Sequence, residues 1–130
     1  MTENSDRFAC IHPPAGFAPS DLPLPMPRSK KWTICSLALD VSGQCNLRCT
    51  YCAESATLTK RKPMTEDVLD LALNYFFDHL APGATPAIRF GSGEPLLASH
   101  ILEQASVKSK KLSEKYSYAP PQFFLTTNGT

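Results

Sequence analysis

Three of the five cysteines fall within one stretch of eight residues, Cys45-Asn46-Leu47-Arg48-Cys49-Thr50-Tyr51-Cys52. The C-x3-C-x2-C spacing lets one loop wrap a single inorganic centre. A closed structural zinc site takes four ligands, normally as two separated pairs. Here there is no second pair, and His12, His79 and His100 are remote in sequence. Cys35 is a poor fourth ligand: six residues of strand at roughly 3.3 Å each would hold it about 20 Å from the end of the strand it opens. Cys35 reads as a core residue and Cys10 as incidental. Three thiolates without a fourth ligand point to an iron–sulfur cluster with one iron left open, because thiolate suits such centres and an open iron admits a ligand. An odd number of cysteines, clustered in this way, fits a reducing compartment better than a secreted disulfide framework.

Two further segments carry residues of chemical interest. Phe90-Gly91-Ser92-Gly93-Glu94-Pro95-Leu96-Leu97 offers small residues that let backbone approach a ligand, and Pro95 biases Glu94 toward an extended conformation. It lacks the Gly-Lys-Ser/Thr pattern of a phosphate-binding loop. Thr126-Thr127-Asn128-Gly129-Thr130 is by itself a turn signal. What links the three segments is the elements that precede them. Residues 32–41 are apolar on both alternations, as in a strand covered on both faces. Thr65 is a candidate N-cap with Glu66 and Asp67 behind it, and Leu69, Ala72, Leu73, Phe76 and Leu80 recur at helical spacing. Ala81-Pro82-Gly83 stops that helix, and Ala87-Ile88-Arg89-Phe90 is a short second strand. A second helix over 99–116 is expected to bury Ile101, Ala105, Leu112 and Tyr116, with Lys108, Lys110, Lys111 and Lys115 mostly in water. Pro120-Pro121 ends it, and 123–127 is a third strand.

The order strand, helix, strand, helix, strand calls for parallel strands with right-handed crossovers. The thiol loop, the Gly-Ser-Gly-Glu-Pro segment and the Thr-Asn-Gly segment then all lie at C-terminal strand ends, the rim where α/β barrels and open sheets place their sites. The basic run Lys60-Arg61-Lys62-Pro63 reads as a solvated loop. Residues 1–31 hold six of the twelve prolines and read as an extended N-terminal arm, leaving 32–130 as the structured part.

On these motifs the chain resembles the radical S-adenosylmethionine enzymes. Cys45, Cys49, Tyr51 and Cys52 resemble that family's C-x3-C-x-aromatic-C cluster loop. Gly93-Glu94-Pro95 is similar to its Gly-Gly-Glu-Pro segment, with Ser92 standing where the first glycine is usual. The Thr-Asn-Gly segment resembles one found in the peptide- and protein-modifying branch related to sulfatase-maturating enzymes. The resemblance covers about residues 33–130. It implies a [4Fe-4S] cluster on Cys45, Cys49 and Cys52, whose fourth iron chelates S-adenosylmethionine and donates the electron that cleaves it to a 5'-deoxyadenosyl radical. It also implies that Gly93 and Glu94 hold the methionine amino group, that Tyr51 packs near the adenine, and that Asn128 contacts the substrate side. Asn46 and Arg48 are candidates for hydrogen bonds to sulfur. The family's six-stranded partial (β/α)6 barrel makes this βαβαβ portion its N-terminal half, truncated after the third strand and expected to turn over poorly by itself.

A substrate that is a peptide or protein is the first expectation, and a small molecule or nucleotide, as in the molybdenum-cofactor branch, the second. A noncatalytic zinc-binding or interaction module is the rival from another class. A one-electron donor such as flavodoxin or ferredoxin is implied as partner. Thirteen basic residues against twelve acidic ones give a formal net charge of +1, which argues against a dedicated nucleic-acid binder and provides no polybasic membrane handle. There is neither a membrane-spanning apolar run nor a secretory leader, so a cytoplasmic location is expected.

Overall fold

A computed structural model describes residues 33–54 and 61–130; the expected arm over 1–31 and Cys10 lie outside the described residues. The elements are β1 (Ser36–Leu39), α1 (Glu66–His79), β2 (Ala87–Phe90), a 3-10 turn (Pro95–Ala98), α2 (Ser99–Tyr116) and β3 (Gln122–Leu125). The strands form one parallel sheet in the order β1-β2-β3. Leu37 and Leu39 stand opposite Ile88 and Phe90, which in turn stand opposite Phe123 and Leu125. The three C-terminal strand ends are therefore level with one another, and the loops that leave them share one rim.

Local chemistry accounts for the helix ends. Thr65 is extended, and its side chain accepts from the Val68 N–H at 3.4 Å, with Glu66 and Asp67 in the first turn against the positive end of the helix dipole. Leu80 returns to extended geometry, so α1 ends before the Pro82-Gly83 turn. At the end of α2, Ser117 takes left-handed backbone (φ 58°), donating to the Glu114 carbonyl, while the Tyr118 N–H reaches back to Ser113 at 2.9 Å. That closure satisfies carbonyls that the last turn would otherwise leave open.

Both helices pack against each other, and their apolar stripes meet Leu39, Val41, Ile88 and Phe90 in one core with Leu69, Leu73, Phe76, Phe77, Ile101 and Ala105. Ser109 and Ser113 complete the buried stripe of α2, with Leu112 and Tyr116 only half-buried. Lys108 is not left in water: its Nζ lies 2.6 Å from Asp70 and 3.7 Å from Glu66, joining α2 to α1.

Among the described residues the expected cover on both faces of the first strand is not found. Ser36 and Ala38 are exposed, as are Arg89 and Phe124 on the same side of the neighbouring strands, because both helices lie on the opposite face. The uncovered face bounds a cavity of about 330 Å³ between Ala38, Arg89, Phe124 and the rim residues Asp40 and Ser92. Arg89 lies over the Phe124 ring there, 4.5 Å from its centroid. Cys35, expected in the core, is half-buried and is not one of the core residues. Among the described residues no helix is long and apolar enough to cross a membrane.

Candidate cluster and cofactor site

The thiol loop begins where β1 stops. Its first fastening is Gln44, whose carbonyl accepts the Glu94 N–H at 2.7 Å. Gly93 sits against that carbonyl with φ +68°, and a Cβ at this position would overlap the Gln44 oxygen. Both the left-handed backbone and the close approach require glycine here. Gly43 is held in the same way on the other side: a Cβ there would lie 2.8 Å from the Lys62 carbonyl oxygen.

Cys45, Cys49 and Cys52 are unbridged and half-buried along this loop. The Cys52 N–H donates to the Cys49 carbonyl at 3.1 Å, a turn that brings the last two cysteines to the same bend. The Cys45 sulfur accepts the Leu47 N–H at 3.4 Å and the Asn128 side-chain amide at 3.8 Å. Donors of this kind tune a centre bound through the sulfur. Asn128, rather than Asn46, is thus the side chain that reaches sulfur. Asn46 instead accepts from Asn128 at 2.9 Å and donates to the Thr130 hydroxyl at 3.0 Å. Arg48 is exposed. Tyr51 is 89% exposed, and the Cys49 thiol beside its hydroxyl raises its pKa.

Glu94 is fully buried. Its Oε1 accepts from the Leu96 N–H at 3.0 Å and the Thr127 hydroxyl at 2.8 Å, and its Oε2 from the Asn128 N–H at 2.8 Å. Burial opposes its charge, but the bonds from Asn128, Leu96 and Thr127 outweigh that and hold its pKa below the ordinary value. The carboxylate therefore joins the end of β2 to the end of β3. Gly93, in the same turn, contributes backbone alone.

Three residues that sequence reasoning missed, Asp40, Glu54 and Arg61, complete the rim together with Ser92. Arg61 donates to Asp40 at 2.8 Å, to Glu54 at 3.0 Å and to the Ser92 hydroxyl. Ser92 in turn donates to Asp40 at 3.1 Å and lies in hydrogen-bond contact with Glu54. The other Asp40 oxygen accepts the Gly43 N–H at 3.0 Å. The reading of the basic run as a solvated loop thus fails at Arg61, which is half-buried among carboxylates. Ser92 has φ +68°, so a serine occupies backbone that normally selects glycine. The available signal was an arginine in a basic run and an aspartate at a strand end, neither of which names its partner.

The rim thus gathers three unbridged thiols of one loop and the two segments that steady it. Residues 39–130 match the Radical SAM superfamily. The chain belongs to that superfamily. Radical SAM enzymes work with a [4Fe-4S] cluster and S-adenosylmethionine, and the donor set fits the cluster. Among the described residues no three His, Cys, Asp or Glu side chains are gathered as a single metal ion requires. A cubane makes no such demand, because each thiolate binds a different iron. Relatives at comparable distance include a GTP 3',8-cyclase of Rhizobium etli, 35% identical over 96 residues, which are 72% of this chain and 25% of that protein. GTP 3',8-cyclase 3 of Mycobacterium tuberculosis is 35% identical over 100 residues, 75% of this chain and 25% of its own length. The Bradyrhizobium diazoefficiens GTP 3',8-cyclase is 36% identical over 100 residues, again 75% of this chain and 27% of that protein. The chain thus spans about a quarter of the length of the relatives it matches.

Proposed function

We propose that this chain is the cluster-and-cofactor part of a radical enzyme, in which Cys45, Cys49 and Cys52 each hold one iron of a [4Fe-4S] cluster. The supporting observation is that three unbridged thiols lie on a single loop whose two flanks are fastened to residues 92–94. The backbone at Gly93 faces the methionine amino group of S-adenosylmethionine. Glu94 serves that contact indirectly by fixing the turn, Tyr51 lies beside the adenine, and Asn128 steadies the Cys45 thiolate. When bound, the cluster and its cofactor supply one-electron cleavage of a carbon–sulfur bond and a carbon radical that removes a hydrogen atom from substrate. The electron comes from a small donor of the flavodoxin or ferredoxin type. Unbridged thiols and an open iron suit the reducing interior of the cytoplasm.

For the substrate, the relatives' names favour a nucleotide. Arg89, exposed on the uncovered sheet face below the rim, supplies a cation suited to phosphate. The peptide-modifying reading rests on the Thr126–Thr130 motif. Incubating the reduced intact protein with GTP or with candidate peptides separates them: consumption of GTP with formation of 5'-deoxyadenosine supports the first.

Anaerobic reconstitution followed by iron and sulfide analysis tests the cluster assignment. The wild-type protein is expected to bind about four irons and four sulfides, and a C45A/C49A/C52A variant to bind none. Equal iron and sulfide in both would sink it, and zinc without sulfide would favour a noncatalytic metal module.

A further inference from the structure

The thiol loop is attached to the Gly-Ser-Gly-Glu-Pro turn at two places. At the entry, Gln44 receives the Glu94 N–H, and Gly93 packs on it. At the exit, Glu54 lies two residues beyond Cys52, and Arg61 lies further along. Both contact Ser92, and Arg61 also bonds Asp40 at the end of β1. Three consecutive residues, Ser92, Gly93 and Glu94, therefore receive both ends of the loop that carries the thiols.

Ser92 stands out among them. At φ +68° glycine would be the easier residue. What serine adds is a hydroxyl between Arg61, Asp40 and Glu54. We propose that Ser92 and Arg61, with Asp40 and Glu54, form a clasp of positioning residues that sets the distance between the thiol loop and the turn facing the cofactor's amino group, and so controls how tightly S-adenosylmethionine binds. This rests on the cluster-and-cofactor reading above. The clasp acts through the thiol loop and the turn that it joins.

Ser92→Gly gives the proposal a signature that ordinary destabilisation does not. It removes the hydroxyl and at the same time relieves the backbone, so thermal stability is expected to stay the same or rise while cofactor affinity falls. The intact protein, anaerobically reconstituted and reduced, is titrated with S-adenosylmethionine, and the change in the cluster's electron paramagnetic resonance spectrum gives the dissociation constant. Loss of one such hydrogen-bonded link is expected to weaken binding roughly 3- to 10-fold, with iron and sulfide content unchanged. Arg61→Met is expected to act in the same direction, and Arg61→Lys to recover part of the affinity. A wild-type protein whose spectrum responds to S-adenosylmethionine, beside a Ser92→Gly variant with the same affinity and spectrum, overturns the clasp alone. A wild-type protein with no cluster spectrum overturns the cofactor reading and the clasp with it.

Discussion

Replacing Glu94 by Gln tests whether one buried carboxylate joins two strand ends. Glutamine keeps one oxygen, which can still accept from Leu96 and Thr127, but it sets an amide N–H2 against the Asn128 N–H that Oε2 accepts at 2.8 Å. One charge-assisted bond is lost, and a backbone donor is left facing another donor, a combination that costs about 2–3 kcal/mol. In a domain of this size that lowers the thermal midpoint by roughly 10–20 °C. The sign of the pH dependence follows from the lowered pKa of Glu94. Its contribution is complete above the ordinary glutamate value of 4.5 and is lost as pH falls through the depressed folded value. The gap between wild type and Glu94→Gln is therefore widest near neutrality and closes in acid. Urea unfolding followed by circular dichroism across that pH range measures it, and amide exchange at Asn128 locates it. Equal unfolding midpoints at pH 7 would refute the view that Glu94 holds β2 and β3 together at the rim.

Two further substitutions test the surrounding geometry. Gly93→Ala combines left-handed backbone with overlap on the Gln44 carbonyl and is expected to cost roughly 2–4 kcal/mol; a urea-unfolding loss under 0.5 kcal/mol, well below that range, would show that the turn does not press on the loop. Lys108→Met removes the bridge from α2 to Asp70 and Glu66, both about half exposed, so the loss is expected to stay below about 1 kcal/mol and to shrink in molar salt. A larger, salt-independent loss would mean that the lysine stem, not its charge, matters to the packing.

Much of this fold could be read from residue order because it is local. The spacing of Leu69, Leu73 and Phe76, the Thr65 cap and the Ala87–Phe90 run each declare themselves within a few positions, and the helix over 99–116 matches α2. The first strand is shorter than its apolar run, since pairing extends only as far as the four residues of β2 reach. Phe77 is buried beside Phe76 because α1 is covered on two sides, by the sheet and by α2, which widens its apolar face beyond a single stripe. At the site, the three cysteines were legible as a pattern. The partners of Glu94, the reach of Asn128 to Cys45 and the Arg61 cluster were not. Apart from the Leu96 N–H, two residues from Glu94, each joins positions between 7 and 83 apart, and a charged side chain carries no mark of which distant backbone or carboxylate it will meet.

The hydrogen bond from Asn128 to the Cys45 sulfur has a consequence for biosynthesis. The thiol leaves the ribosome 83 residues before its donor. Until β3 has emerged and paired, that sulfur has neither the amide nor the closed rim around it, and the three thiols are held through the fastening of their loop to residues 92–94. Metal insertion that waits for the third strand meets a preformed seat, whereas insertion before then must assemble the seat and fill it together.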